Sequence, residues 1–453
     1  METFINQEYI ENLLEETKNA TYEEVEAVLQ KAELKHGLSH QDVAILLNIE
    51  DKEQIERLHE ISFTIKKTIY GDRVVLFAPL YLANYCVNNC TYCGYRRDND
   101  IQRTKLTLEQ IEKEVKSLEK IGHKRLAIEV GEDPINVDID YVVDAIKTVY
   151  KSGDIRRVNV NVAATTEEDY KKLAAAEIGT YILFQETYHR PTYEKIHPQS
   201  LKGDYERQLY AHHRAIPTGL DDVGGGALLG LYDHRFEMVA LMIHNEELLK
   251  NFGVEFHTIS VPRIKKAKGV DLNDYPHLID DDTFVKLVSI IRVAAPHVGM
   301  ILSTREDEEM RRKLINQGIS QISANSKTTV GGYSDESSTP QFEIGDERSL
   351  LDTMKDLVRE GNLPSYCTAC YRMGRTGQEF HDQVETLKIA QMCHPNAILT
   401  TLEFALDHGD QEMNDLTYPF LLDQIEKIQN PELKAKVIDY FERIKNGERD
   451  LYV

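Results

Sequence analysis

The sequence predicts an α/β fold, a closed (β/α)8 barrel carrying helical extensions before and after it. Three observations lead there. Between about residue 70 and about residue 330, short apolar strand patterns alternate with amphipathic helix patterns in units of about 30 to 40 residues, and eight strand patterns occur in that span. The first of them is followed at once by three closely spaced cysteines, which puts reactive residues just after a strand, where barrel enzymes keep their sites. From about Gly332 the alternation stops, and a polar stretch leads into helix patterns alone. The expected organisation is a helical extension over 1–69, the barrel over 70–332 and a helical region over 333–453.

Taken in order, Glu2 to Asn48 reads as helices with acidic outer faces, and Gln54 to Ile69 as the helix feeding the barrel. The strands are expected at Val74 to Leu82, Arg125 to Val130, Arg157 to Ala163, Thr180 to Thr187, Val223 to Leu231, Glu255 to Pro262, Met300 to Thr304 and Ser320 to Ala324. Thr107-x-x-Gln110 is a capping box, Ile111, Val115, Leu118 and Ile121 form the apolar stripe behind it, and Gly122 ends that helix. Phe236 to Leu249 and Asp281 to Val298 are further helices. In the third strand, Val158, Val160 and Val162 alternate with Asn159 and Asn161, so both amides face away from the valines and into a lumen that then suits a polar ligand. Tyr333 to Pro340 reads as a linker, and Leu416 to Lys445 as a closing helical stretch.

Composition excludes several classes. With 53 Lys and Arg against 76 Asp and Glu, the net charge of −23 argues against nucleic acid, which needs a concentrated cationic face. No secretory signal or membrane span is evident, so a cytoplasmic protein without a membrane partner is expected. Arg96, Arg97, Arg103 and Lys105 run against the global charge; they suit the steering of an acidic electron donor, or simply a solvated loop.

The cysteines carry the chemistry. Cys86-x-x-x-Cys90-x-x-Cys93 offers three thiolates, enough for three irons of a cubane with the fourth left open, whereas zinc sites favour paired Cys-x-x-Cys units and four closed ligands. Tyr92 stands inside this loop and Gly94 beyond it. Cys367-x-x-Cys370 and Cys393 form the second set, for which spacing alone leaves open a zinc site completed by His394. Around the strand ends, Gly131 permits close backbone approach and Glu132 can accept from an amine, while Glu186 and Arg207 suit the two ends of an amino-acid moiety. Arg305 and Lys327 are candidate carboxylate clamps, with rim ion pairs as the plainer reading. His257, on the sixth strand, reads as a core histidine on position alone.

The first cysteine set, with Tyr92 and Gly94, resembles that of the radical S-adenosylmethionine (SAM) superfamily. Together with Arg157-Val-Asn-Val-Asn161, Phe184-Gln-Glu-Thr-Tyr-His189, His257-Thr-Ile-Ser-Val-Pro-Arg263 and the tail Cys367-Thr-Ala-Cys370-Tyr-Arg-Met-Gly-Arg-Thr-Gly377, the chain resembles the HydG family of tyrosine lyases over about Tyr70 to His408. Related 2-iminoacetate synthases share the barrel motifs and lack the tail. The resemblance implies a (β/α)8 TIM barrel of the radical SAM type, which cleaves L-tyrosine to p-cresol and dehydroglycine and turns the latter into carbon monoxide and cyanide for the hydrogenase H-cluster. It implies SAM and two iron–sulfur clusters as cofactors, a [4Fe-4S] cluster on Cys86, Cys90 and Cys93 and a second on Cys367, Cys370 and Cys393. That second cluster would carry a fifth iron with a free cysteine, held by His257. It further implies SAM contacts from Gly131, Glu132, Asn159, Asn161, Glu186 and Arg207, and catalytic roles for Tyr92, Arg305 and Lys327. A ferredoxin or flavodoxin and other hydrogenase maturation proteins are the implied partners. Three places depart from the family pattern: Gly225 where a bulkier residue is common, Ser200-Leu201 for Gly-Pro, and Asn325-Ser326-Lys327 for Gly-Ser-Arg. In the last, lysine keeps the charge and loses the bidentate fork.

Overall fold

The computed structural model describes residues 3–334, 338–374, 376, 377, 379, 383, 384, 386 and 388–453. All eight expected strands form, in parallel and in sequence order: β1 (Arg73–Ala83), β2 (Arg125–Val130), β3 (Arg157–Asn161), β4 (Tyr181–Ile182), β5 (Val223–Gly226), β6 (Thr258–Ser260), β7 (Gly299–Leu302) and β8 (Gln321–Ser323). β1 closes the ring by pairing with β2 through Ala78 to Ala83 and with β8 through Val75 to Phe77. Several strands are shorter than expected. β4 is regular over only two residues, although Leu183 N and Gln185 N go on to donate to Gly224 O and Gly226 O of β5 at 2.9 and 3.0 Å before Glu186 takes φ +67°.

A ninth strand, β9 (Leu363–Ser365), was not expected from the sequence. It pairs with Arg73 to Val75 at the start of β1, below the stretch that β2 occupies. The three-residue run is too short to show a period, and only the free lower edge of β1 makes it a strand. Behind it, the helices Lys388–His408, Gln411–Glu426 and Pro431–Lys445 share a small core of Ile398, Leu402, Leu421, Ile425 and Phe441 with Leu363.

At the other end, the helices Gln7–Glu16, Tyr22–Glu33, His40–Leu46 and Lys52–Tyr70 start from side-chain caps and join the main core, so the N-terminal extension packs on the barrel. The expected linker, Tyr333 to Pro340, lies partly outside the described residues, and the stretch after it is anchored to the barrel. Gln341 accepts from Gly94 N, Gly345 donates to Thr304 O, and buried Asp346 pairs with buried Arg311 at 3.0 Å. This stretch therefore folds across the upper mouth before the helix Leu350–Arg359 descends to β9. No helix among the described residues is long and apolar enough to cross a membrane.

Candidate active site at two mouths of the barrel

Cys86, Cys90 and Cys93 lie in the loop after β1, at the upper mouth. The loop is held from several sides: Asn88 donates to Glu132 at 2.6 Å and accepts from Lys202 N at 3.0 Å, Ser200 accepts from Asn89 N at 2.8 Å, and Tyr92 OH meets His197 Nε2 at 2.8 Å. Gly131 packs against it so closely that a Cβ there would stand 2.2 Å from Tyr85 O and 3.1 Å from Cys86 Cβ. Burial pushes the Cys86 thiol up to about 11 and raises Cys90 and Cys93 as well. Lys202, the cation that opposes this rise at Cys90 and Cys93, is already paired with Glu186, so the three thiols become thiolates beside a metal, whose charge inverts the balance, and the donor set fits a cluster.

Below the loop opens a cavity of about 280 Å³ lined by Tyr92, Gly131, Glu132, Asn161, Glu186 and Arg305, among others. Glu186 is paired with Lys202 at 2.6 Å, and Glu132 with Arg207 at 2.8 Å. The Arg305 guanidinium lies 3.4 Å from the Phe342 ring centroid, and burial lowers its pKa. Three expected contacts fall elsewhere. Asn159 sits two residues below Asn161 on the same face, and its Oδ1 accepts from Thr180 N at 3.0 Å, so it sustains the strand ladder and does not line the cavity. Arg207 reaches the cavity only through Glu132. Lys327 is also outside: Asn325, at φ +48°, turns the chain so that Ser326 and Thr328 face inward and Lys327 does not. Of the two clamp candidates, Arg305 is the one in place.

The loop cations are likewise not all available to a donor protein. Arg103 donates to the carbonyls of Asn84, Tyr95 and Arg96 at 2.7 Å each, and Lys105 to Asn136 O at 2.5 Å; Arg97 stays exposed beside Asp98. Arg103 is a loop organiser.

The second cysteine set is at the opposite mouth. Because β9 pairs with the first residues of β1, Cys367 emerges under the barrel floor, where Arg125, the first residue of β2, donates to its carbonyl at 2.7 Å. A cavity of about 60 Å³ there is lined by Cys367, Cys370, Cys393, His257, Arg73 and Tyr371, among others. His257 enters from just before β6, with Nδ1 3.4 Å from Asp222 and Nε2 3.5 Å from Tyr371 OH. His394 does not complete this set; its Nε2 meets Gln424 O at 3.1 Å. The hydrogen bond to Cys393 and then burial push Cys370 up, and burial raises Cys367 to about 11. No trio of His, Cys, Asp or Glu among the described residues converges tightly enough for a lone metal ion. Thiolates that each take a different iron of a cubane have no such need to converge.

Sequence reasoning missed Glu129, Lys202, Arg73, Arg125, Tyr371 and Asp222. Glu129 and Arg125 had a usable signal, as positions in step with Gly131 on β2; Arg73 opens β1, and Lys202, Tyr371 and Asp222 are brought in by the segments between strands and after β9.

The radical SAM superfamily model matches residues 80–243, and the Biotin and Thiamin Synthesis associated domain matches residues 260–362. With the thiolate trio after β1, this defines a radical SAM enzyme. A crystal structure of HydG, a maturase of the [FeFe]-hydrogenase, is 50% identical, covers 99% of this chain and 100% of its own, and superposes with a TM-score of 0.97. The chain belongs to the HydG family. HydG from Carboxydothermus hydrogenoformans is 35% identical, with 96% of this chain and 97% of its own covered and a TM-score of 0.85. The 2-iminoacetate synthase of Salmonella typhimurium is 29% identical over 360 residues, 79% of this chain and 93% of that protein.

Proposed function

We propose that this enzyme cleaves L-tyrosine to p-cresol and dehydroglycine and converts the latter to carbon monoxide and cyanide, supplying an Fe(CO)2(CN) unit for the [FeFe]-hydrogenase H-cluster. The observation that carries this reading is the placement of two cysteine trios at opposite mouths of one barrel, with a closed lumen between. The upper cluster, when bound, supplies the electron that splits SAM into methionine and a 5′-deoxyadenosyl radical. Residues of the chain do the rest of the positioning. Gly131 lets the end of β2 pack directly against Tyr85 and Cys86 of the cluster loop, and Glu132 and Glu186, each already held by a cation, present oxygens at the rim for SAM. Arg305, half-buried in the cavity wall and without a hydrogen bond to a described residue through its guanidinium, suits the tyrosine carboxylate. Tyr92, tied to His197, braces the loop that carries the trio. The closed walls keep a primary radical from water.

At the lower mouth, Cys367, Cys370 and Cys393 would hold the second cluster, and His257 the fifth iron with its free cysteine. Asp222 beside Nδ1 orients the imidazole so that Nε2 faces the cavity. Coverage of the HydG structure extends over this tail. An acidic donor such as ferredoxin or flavodoxin and other maturation proteins complete the expected set of partners.

The test is an anaerobic assay of reconstituted protein with SAM, L-tyrosine and dithionite. p-Cresol with carbon monoxide and cyanide is the expected result. p-Cresol without either diatomic product would reduce the activity to that of a 2-iminoacetate synthase, and absence of deoxyadenosine would overturn the reading altogether.

A further inference from the structure

The wall of the upper cavity holds a second polar pair that the reaction described above does not use. Alternation on β2 turns Ala127, Glu129 and Gly131 inward, so Glu129 sits one layer below the glycine that backs the cluster loop. Its strand partners in the same layer are Tyr81 on β1 and Asn161 on β3. Asn161 donates its side-chain amide to Glu129, and the Asn161 Oδ1 is buried with no partner. Burial drives Glu129 up to about 8, against the opposing influence of Asn161 and Arg305.

Around the cavity the other carboxylates, Glu132 and Glu186, each have a cation of the protein itself. Among the described residues Glu129 has none within ion-pair distance, and Arg305, three strands round the ring on the far side of the lumen, pairs with no carboxylate. One Glu129 oxygen accepts from Asn161, while the other Glu129 oxygen and the Asn161 Oδ1 have no donor among the described residues, and such a pair calls for a ligand that brings several N–H groups at once. A hydroxyl brings one, whereas an ammonium brings three together with the charge that would convert a neutral buried acid to its carboxylate.

We propose that Glu129 and Asn161 receive the α-ammonium of the amino-acid substrate, opposite the carboxylate held by Arg305. The proposal rests on the tyrosine reading. It gives the lumen a two-ended grip on an α-amino acid, with the nitrogen placed directly beneath the cluster loop and the aromatic ring left to the apolar surfaces of Phe77, Ile182 and Leu228. A substrate lacking either end loses one of two charge-assisted contacts.

The test is equilibrium binding to the cluster-loaded protein with SAM and no reductant, so that nothing turns over. L-Tyrosine is compared with 3-(4-hydroxyphenyl)propanoate, which keeps the carboxylate and phenol and lacks the nitrogen. The parent should prefer tyrosine by roughly ten- to a hundredfold, the size of one charged hydrogen-bonded contact. In Glu129→Gln, which keeps shape and the Asn161 contact, the preference should fall to within about threefold, with affinity for the propanoate unchanged. Glu129→Asp should retain part of the preference, and iron content and circular dichroism serve as checks on folding. An undiminished preference in Glu129→Gln, with tyrosine still bound and cleaved by the parent, overturns the ammonium site and leaves the tyrosine reading standing. A parent that binds neither ligand overturns both.

Discussion

Glycine at position 131 is demanded by distance, since any side chain there would run into the Tyr85 carbonyl and the Cys86 Cβ. Gly131→Ala should therefore displace the cluster loop and lower iron at the first site while the second retains its iron, which can be checked by iron analysis in a background with Cys367, Cys370 and Cys393 replaced, and in the parent. The two clamp candidates separate cleanly. Arg305→Lys keeps charge and loses the fork, so tyrosine affinity should fall by about 1.5 to 3 kcal/mol, whereas Lys327→Ala should leave the tyrosine dependence of p-cresol formation within about twofold, because its side chain does not line the cavity. Residue identity also explains one departure from the family pattern. Gly225 has no room for a larger side chain because the Phe256 ring stands 2.4 Å from where its Cβ would be. His257→Ala should leave p-cresol largely intact and weaken the infrared bands of iron-bound carbonyl and cyanide; unchanged bands would return it to a core histidine.

Elements act through their edges. β9 is three residues long, yet it fixes where Cys367 emerges, because Leu363, Pro364 and Ser365 pair with Arg73, Val74 and Val75. Leu363 is fully buried in the core shared with the closing helices, so Leu363→Ala should cost about 2 to 5 kcal/mol locally and reduce iron at the second site more than at the first. The helix Lys52–Tyr70 carries a cost of its own: Lys66 is wholly buried, with Asn362 Oδ1 at 3.5 Å as its hydrogen-bond acceptor, and burial lowers its pKa from the ordinary 10.5 to about 7. Between pH 7 and pH 10.5 the unfolded chain binds this proton and the folded one does not, so stability rises with pH across that window. Lys66→Met should raise the melting temperature most near or below pH 7, and the gain should shrink toward pH 10.

On the scale of the whole molecule, the barrel keeps the two cysteine trios apart by placing one on the loops after the strands and the other beneath their starts. Replacing Cys86, Cys90 and Cys93 by alanine should abolish deoxyadenosine, p-cresol and diatomic products together. Replacing Cys367, Cys370 and Cys393 should spare p-cresol and abolish only the iron carbonyl cyanide product, as read by infrared spectroscopy. Loss of p-cresol in the tail variants, with the fold intact by circular dichroism, would refute the division of labour.

The sequence by itself determined the eight strands, the Thr107-capped helix with its end at Gly122, and both cysteine trios, because strand alternation, a capping box and ligand spacing are local properties that need no partner to be read. Asn161 facing the lumen followed from the same alternation, and Glu129 would have followed had it been applied to β2. Only the tertiary structure decided that Asn159 lies too deep and that Lys327 turns away, since lumen depth and the turn at Asn325 depend on neighbouring strands. It also placed His257, which the family resemblance implies, and not His394 in the lower cavity with the tail cysteines. They are 110 residues or more apart in sequence, from Cys367 back to His257, and what unites them is the free lower edge of β1, an opening that exists only once the barrel has closed.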